Sequence, residues 1–237
     1  MDLKETDILG ADIDQHWYYS SKAKAMRLLL EGTVPIRILD VGAGSGFFSR
    51  NLLSYTDAKE AWCVDISYQA DSDESEAGKA VYYRRSVGDI NADLVLLMDV
   101  LEHVDDDVAL LKEYVDKAPS GSRFLVTVPA FQFLWSGHDL FLEHKRRYTL
   151  KQLEDVVRNA GLSVRCGTYY FGMVFPIAAT LRIAQKTCRK SESPSSQLSN
   201  HNPVTNAILK SLCEMELPFL RINRAVGLTV FCLADKA

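Results

Sequence analysis

An α/β fold built on a doubly wound, mainly parallel seven-stranded sheet is what this 237-residue sequence predicts, and three observations predict it. Apolar runs of strand length alternate with segments whose apolar residues recur at helical spacing. A glycine-rich turn, VGAGSG at 41–46, directly follows the first of those runs. The run DLVLLMDV at 93–100 is almost wholly apolar, as expected for a parallel strand covered on both faces. The plan is one domain over 1–237: an N-terminal helical lid (1–30), a core (31–171 and 226–236) and a helical insertion or cap (172–225) before the last strand.

The elements follow in order. SSKAKAMRLLLEG forms an amphipathic helix behind the aromatics His16, Trp17, Tyr18 and Tyr19. IRILDV is the first strand, and FFSRNLLSY places Phe47, Phe48, Leu52 and Leu53 on one helical face. AWCVDI is a second strand ending near Asp65, and AVYYRRS a third that leads to Gly88 and Asp89. After DLVLLMDV comes the helix VALLKEYVDKA, stopped by Pro119 and Gly121. SRFLVTVPA is the fifth strand, 149–160 a helix capped by Thr149 and stopped by Gly161, and LSVRCGTYY the sixth. GLTVFCLAD at 227–235 closes the sheet. Before it lie the apolar segment FGMVFPIAATLRIAQ, the polar tract TCRKSESPSSQLSNHNP with the composition of a flexible loop, and the helical VTNAILKSLCEMEL.

Composition narrows the function. A content of 47% apolar and 24% charged residues is that of an ordinary soluble domain, and a formal charge of -4 provides no electrostatic footprint for nucleic acid. Cys63, Cys166, Cys188, Cys213 and Cys232 are scattered, with no C-x-x-C pair and no histidine at zinc spacing, so they read as reduced structural thiols and no metal is expected. The acidic start MDLKETDILGADID lacks the basic and apolar regions of a secretory signal, and the expected location is the cytoplasm. Gly167 to Leu181, the longest uncharged stretch, is shorter than the roughly 20 residues of a spanning helix, although a helix lying on a membrane surface stays open.

The glycine turn decides between two nucleotide chemistries. A dinucleotide-binding turn reads G-x-G-x-x-G, and its third glycine allows helix and strand to pack closely. Here Phe47 holds that place, which counts against a nicotinamide-dependent oxidoreductase. The pattern is instead D-x-G-x-G-x-G, formed by Asp40, Gly42, Gly44 and Gly46, with Ala43 inside the turn. This resembles the first motif of the class I S-adenosylmethionine-dependent methyltransferases, which have a Rossmann-like fold, and the resemblance runs from about 30 to 170 and resumes at the last strand. It implies S-adenosylmethionine as cofactor. Asp65, followed by Ile66, would hold the ribose hydroxyls; Asp89 and Ile90 would meet the adenine. Asp99, Val100 and Leu101 of "MDVLEHV" would border the methionine part, and Asp40 would either favour the cofactor's cationic end or hold the turn. An ionised carboxylate suits a diol because it accepts hydrogen bonds without competing as a donor.

The acceptor would lie after the fifth strand, where PAFQFLWSGHDLFLEHKRRYTLKQL is rich in aromatic and titratable groups. Its H-x-R-R-Y-T block resembles one in a poorly characterised branch of these methyltransferases, and names no substrate. Methyl transfer from a sulfonium is an in-line displacement, so a hydroxyl or amine acceptor also needs to lose a proton, and histidine suits that step. His144, beside the arginine pair, is the first candidate base and His138 the second; helix capping or a bond to a backbone carbonyl is the alternative for each. Asp139, Arg146, Arg147 and Tyr148 complete the acceptor candidates, with either arginine free to grip an anion or to pair with Glu143. His103 joins them, as do Trp17 and Tyr18 of the lid, with ordinary core packing as the alternative. The insertion offers Phe171, Met173, Phe175 and Ile177 in one segment and Ile208, Leu209, Leu212 and Met215 in the other. A cap over a hydrophobic acceptor, a lipid-docking face, a homodimer interface or plain packing would each use that surface.

The resulting expectation is S-adenosylmethionine-dependent methyl transfer to a small-molecule or lipid-like acceptor, to oxygen somewhat before nitrogen or carbon, by a monomer or homodimer. An oxidoreductase and a non-catalytic cofactor-binding scaffold are the alternatives. No N/D-P-P-[YFW] motif points to a nucleic-acid substrate.

Overall fold

The computed structural model describes residues 13–187 and 202–237. Its sheet has eight strands: β1 (Arg37–Val41), β2 (Glu60–Val64), β3 (Ser72–Glu76), β4 (Lys79–Arg84), β5 (Leu94–Met98), β6 (Arg123–Pro129), β7 (Leu162–Tyr170) and β8 (Thr229–Lys236). Their order is β3-β4-β2-β1-β5-β6-β8-β7. β8 runs antiparallel to both neighbours and β3 antiparallel to β4, while the remaining pairs are parallel. β1, β2, β5 and β6 are the apolar runs that the sequence predicts as strands, and β5 is buried at every position.

The eighth strand is β3, which the sequence analysis does not predict. SDESE has no apolar alternation because it lies at the sheet edge with most of its residues exposed. It pairs with β4 through the two-residue turn Ala77-Gly78, whose φ values of 50° and 75° suit a tight hairpin. Arg50 anchors it, reaching Glu74 at 2.7 Å and Glu76 at 3.0 Å.

Two helical layers cover the sheet. On one face lie α1 (Trp17–Leu29) and α2 (Phe47–Tyr55), which pack Tyr19, Met26, Leu52 and Leu53 against Ile38, Leu94 and Phe231. On the other lie α3 (Asp107–Lys117) and α5 (Leu150–Asn159), which bury Leu111, Val115, Leu153 and Val157. The short α4 (Gly137–Phe141) sits in the loop after β6. Strand order diverges between β1 and β5, so a crevice opens beyond their carboxyl ends, where ligands of such sheets bind.

The insertion forms α6 (Phe175–Thr187) and α7 (Pro203–Glu216), and the polar tract at 188–201, with Cys188, lies outside the described residues. Phe171 and Met173 precede α6, and Phe171 turns with φ 65°. The Glu216 carboxylate fixes that turn, accepting from the Phe171 amide at 2.5 Å and the Met173 amide at 2.9 Å. The start of α1 joins the insertion as well: the Trp17 amide donates to Asn206 Oδ1 at 2.8 Å, and Asn206 Nδ2 donates to the Gln15 carbonyl at 2.9 Å. Trp17 and Tyr19 are already core residues, 8% and 2% exposed, so of the lid aromatics Tyr18 is the one half-buried at a cavity. No described helix is long and apolar enough to cross a membrane.

Glu216→Ala would leave the two amides of the 171–173 turn without their acceptor, and the loss expected from chemical denaturation is about 1–2 kcal/mol.

Candidate active site

The turn after β1 is built by backbone that side chains would obstruct. Gly42, Gly44 and Gly46 have φ of 65°, 53° and 73°, and a Cβ on Gly42 would stand 2.7 Å from Val100 Cγ2. Val64, at the end of β2, holds the turn down, its carbonyl accepting from the Gly42 amide at 2.7 Å and the Ala43 amide at 3.1 Å. Phe47 begins α2 as a buried residue, its ring 5.4 Å from Tyr19 and 5.0 Å from Phe48. A large side chain thus fills the space that a dinucleotide turn keeps for glycine.

Asp65 closes the same turn from β2. Its Oδ2 accepts from the Gly44 amide at 3.0 Å and its Oδ1 from the Ser67 amide at 2.9 Å. The Ser67 hydroxyl also donates to Oδ1, so of the carboxylate's about four lone-pair sites about one is left for a ribose hydroxyl. Tyr68 donates to the Gly44 carbonyl at 2.6 Å. Asp40 is buried at the end of β1. Ile66 is 85% exposed at the lip of the crevice, Asp89 is exposed, and Ile90 is buried.

Across the crevice, β5 ends at Asp99, which holds a left-handed φ of 58°. A non-glycine residue in that conformation stores strain that neighbouring contacts must offset. They are identifiable: the Asp99 amide donates to the Thr127 carbonyl at 3.0 Å, Thr127 Oγ1 donates to Asp99 Oδ1 at 3.0 Å, and the fully buried Lys22 ammonium donates to Asp99 Oδ2. Burial raises the Asp99 pKa, but Lys22 and Thr127 outweigh it and hold the carboxyl below its ordinary value. Lys22 is a site residue that sequence reasoning missed. In SSKAKAM it reads as a solvated helix position, and only the fold turns it inward.

A cavity of about 450 Å³ adjoins Asp99. Tyr18, Asp99, Glu102 and His144 contribute its polar wall, and Ile177 and Leu181 of α6 its apolar wall. The loop after β6 builds the polar side around Asp139, which is 0% exposed. Arg147 binds Asp139 in fork geometry, Nε to Oδ1 at 2.6 Å and Nη2 to Oδ2 at 3.0 Å; His144 Nδ1 lies 3.0 Å from Oδ1, and the Ser136 amide donates to Oδ2 at 2.8 Å. Burial works to raise the Asp139 pKa, yet the His144 and Arg147 contacts hold it well below the usual carboxylate range.

The predicted acceptor residues therefore separate by position. His144, His138, Arg147, Trp17 and Tyr18 line the cavity. Arg147, however, spends its guanidinium on Asp139 and on the Ala130 carbonyl at 3.1 Å, not on Glu143. Arg146 turns to Asp107 at 3.3 Å and to the carbonyls of Val104 and Asp105, so its partner is also not Glu143. Tyr148 is buried, donating to Asp107 Oδ2 at 2.7 Å and the Leu101 carbonyl at 3.1 Å. These bonds bind the H-x-R-R-Y-T block to the turn after β5. His103 ends that turn, Leu101–His103, with its ring 4.9 Å from His144. Glu102, a second residue missed from sequence, is 0% exposed, and burial beside Asp99 pushes its carboxyl well above the ordinary value.

Comparison with known proteins agrees with this geometry. A methyltransferase-domain family model matches residues 15–166. A ubiquinone biosynthesis O-methyltransferase of Parvibaculum lavamentivorans is 28% identical over 155 residues, covering 55% of this chain and 60% of that protein. The match thus spans less than two thirds of that relative. An S-adenosylmethionine-dependent methyltransferase from Mesorhizobium loti has a similar fold, with a TM-score of 0.57 at 15% identity over 93% of this chain and 100% of that one. Phosphoethanolamine N-methyltransferase 2 of Haemonchus contortus, in complex with S-adenosylmethionine, gives 0.53 at 16% identity over 90% and 52%.

Burial pushes the His138 imidazole down to about 4, so it is neutral in the fold at neutral pH. The unfolded chain binds that proton below about pH 6.5, so the stability His138 contributes is full above that pH and is lost as pH falls toward 4. Urea midpoints measured across that window should fall for the native chain, and His138→Gln should flatten the slope by about 2 kcal/mol in total.

Proposed function

The chain belongs to the methyltransferase-domain family, and on that premise we propose that it catalyses S-adenosylmethionine-dependent methyl transfer to the hydroxyl of a small-molecule or lipid-like acceptor. The observation that carries this reading is the end of β5, where Asp99 lines the 450 Å³ cavity and the next residue, Val100, packs against Gly42 of the glycine turn. A nucleoside held at the turn and an acceptor held in the cavity are then neighbours.

When bound, the cofactor supplies a methyl group made electrophilic by a sulfonium. The turn fits such a nucleoside because its backbone is bare at Gly42, Gly44 and Gly46 and carries only a methyl at Ala43, and because Asp65 presents a carboxylate beside it. Asp89, Ile90 and Ile66 take the adenine side. Asp99, Val100 and Leu101 take the methionine side, with Asp40 beneath the turn. Phe47 fills the position that a nicotinamide enzyme would need open, which disfavours the oxidoreductase alternative.

His144 is the residue that promotes loss of the acceptor proton. Asp139 holds its Nδ1, which directs Nε2 away from the carboxylate, as an orienting acid does for a catalytic imidazole. His138 lines the same cavity, is neutral at neutral pH, and is the second candidate. The apolar wall of Ile177, Leu181 and Leu209 suits a hydrophobic acceptor, and the relative named for O-methylation supports oxygen as the methylated atom. The protein acts in the cytoplasm as a monomer or homodimer, with the exposed Val204, Ile208 and Met215 of α7 available for peripheral contact with lipid or a second copy.

Asp65→Ala should weaken S-adenosylhomocysteine binding about tenfold or more in calorimetry and, by leaving the Gly44 and Ser67 amides without their acceptor, cost about 1–2 kcal/mol of stability in a chain that still folds. His144→Ala should lower kcat by about 10²–10⁴ with cofactor affinity retained, followed as S-adenosylhomocysteine release against phenolic and polyprenyl-phenol acceptors. Unchanged turnover in both His144→Ala and His138→Ala would remove the histidine assignment.

A further inference from the structure

One cluster is left over from that account. Glu102 is fully buried, and neither of its carboxylate oxygens has a hydrogen-bond partner. Nε2 of His103 and Nε2 of His144 are buried without partners as well. These atoms converge: one ligand atom from each residue lies within 4.8 Å of the other two. Buried polar atoms nearly always have partners, so a group of them facing one another calls for a shared one.

The tautomers say what that partner is. Asp139, held in the fork of Arg147, accepts from His144 Nδ1, so Nε2 of that ring carries a lone pair. Nε2 of His103 faces the same point. Two imidazole nitrogens and the Glu102 carboxyl therefore face one point. A ligating histidine whose second nitrogen is held by a carboxylate or a carbonyl is the usual supporting arrangement of a metal site. The neighbouring cations do not oppose an ion there: Lys22 is paired with Asp99, and Arg147 with Asp139.

We propose that Glu102, His103 and His144 bind one divalent cation of the zinc class on the wall of the acceptor cavity. Two imidazoles and one carboxylate favour Zn²⁺, Co²⁺ or Mn²⁺ over Mg²⁺ or Ca²⁺, which prefer oxygen ligands throughout. Tetrahedral ligand atoms about 2.1 Å from an ion stand ~3.4 Å apart, so side-chain rotations that move each ligand atom by about 1 Å close the triad. Glu102 and His144 both line the cavity, so a remaining coordination position would face the acceptor. The inference deepens the role given to His144 and rests on that reading for its purpose. An acceptor hydroxyl bound to the ion loses its proton to solvent water more readily; its oxygen then forms the bond to the methyl carbon as the carbon–sulfur bond breaks, with the electron pair going to sulfur. The three ligands come from two separate loops, so no sequence spacing announces them.

The test is a Co²⁺ titration of the full chain after chelator treatment, read as visible absorption, with Zn²⁺ as competitor. One ion per chain is expected, bound about tenfold or more weakly by Glu102→Gln and by His103→Ala, and weakened also by Asp139→Asn through the loosened His144 ring. Melting temperatures identify any variant that fails to fold, and the near-isosteric Glu102→Gln decides if His103→Ala does. Absence of Co²⁺ and Zn²⁺ binding at micromolar concentrations, or binding that Glu102→Gln and His103→Ala leave unchanged, overturns the proposal. S-adenosylhomocysteine calorimetry on the same metal-free samples separates the two readings: cofactor heat without metal binding sinks the ion alone, and metal binding without cofactor heat sinks the nucleoside site alone.

Discussion

The close approach of the β1 turn to the end of β5 is the constraint on which the rest of this molecule depends. Gly42 lies against Val100 so tightly that a methyl group there would stand 2.7 Å from the valine side chain. That contact sets the crevice at the point where strand order diverges, and it brings the carboxylate of Asp65 and the end of β5 to opposite sides of one opening. Asp99 can hold its left-handed backbone there only because Thr127 and Lys22 occupy its polar atoms. Lys22 belongs to α1, so that helix is bound to the end of β5 by a buried ion pair as well as by apolar packing.

Asp139 plays the matching part on the acceptor side. A buried carboxylate without partners would be costly, and here Arg147, His144 and Ser136 satisfy it from three directions. The outcome is a rigid loop in which one imidazole is oriented and one guanidinium is consumed. On the proposed function, specificity would fall to the apolar wall of α6, since the charged groups nearest the cavity are largely engaged with one another and the sheet itself names no acceptor.

Much of this was legible in the sequence because it depended on local patterns. The strands β1, β2, β5 and β6 announce themselves as apolar runs, the turn as alternate glycines, and Thr149 as a helix cap, which forms a capping box with Gln152. What was not legible depended on partners distant in the chain. β3 is an acidic edge strand held by Arg50 and carries no periodic signal. Lys22 and Glu102 look like solvated helix and turn positions, and only the docking of α1 and of the 136–148 loop buries them. Arg146 and Arg147 read as a pair with one purpose, yet they face different elements, because neighbouring residues in extended backbone point to opposite sides.

The central claim is that a sulfonium nucleoside sits on the Gly42–Gly46 turn with its sulfur toward the cavity bounded by Asp99 and His144. A crystal structure with S-adenosylhomocysteine tests this most directly. The account predicts the ribose hydroxyls on Asp65 and the sulfur facing the space between Tyr18 and His144; ribose density away from Asp65, or a sulfur turned from that cavity, would contradict it.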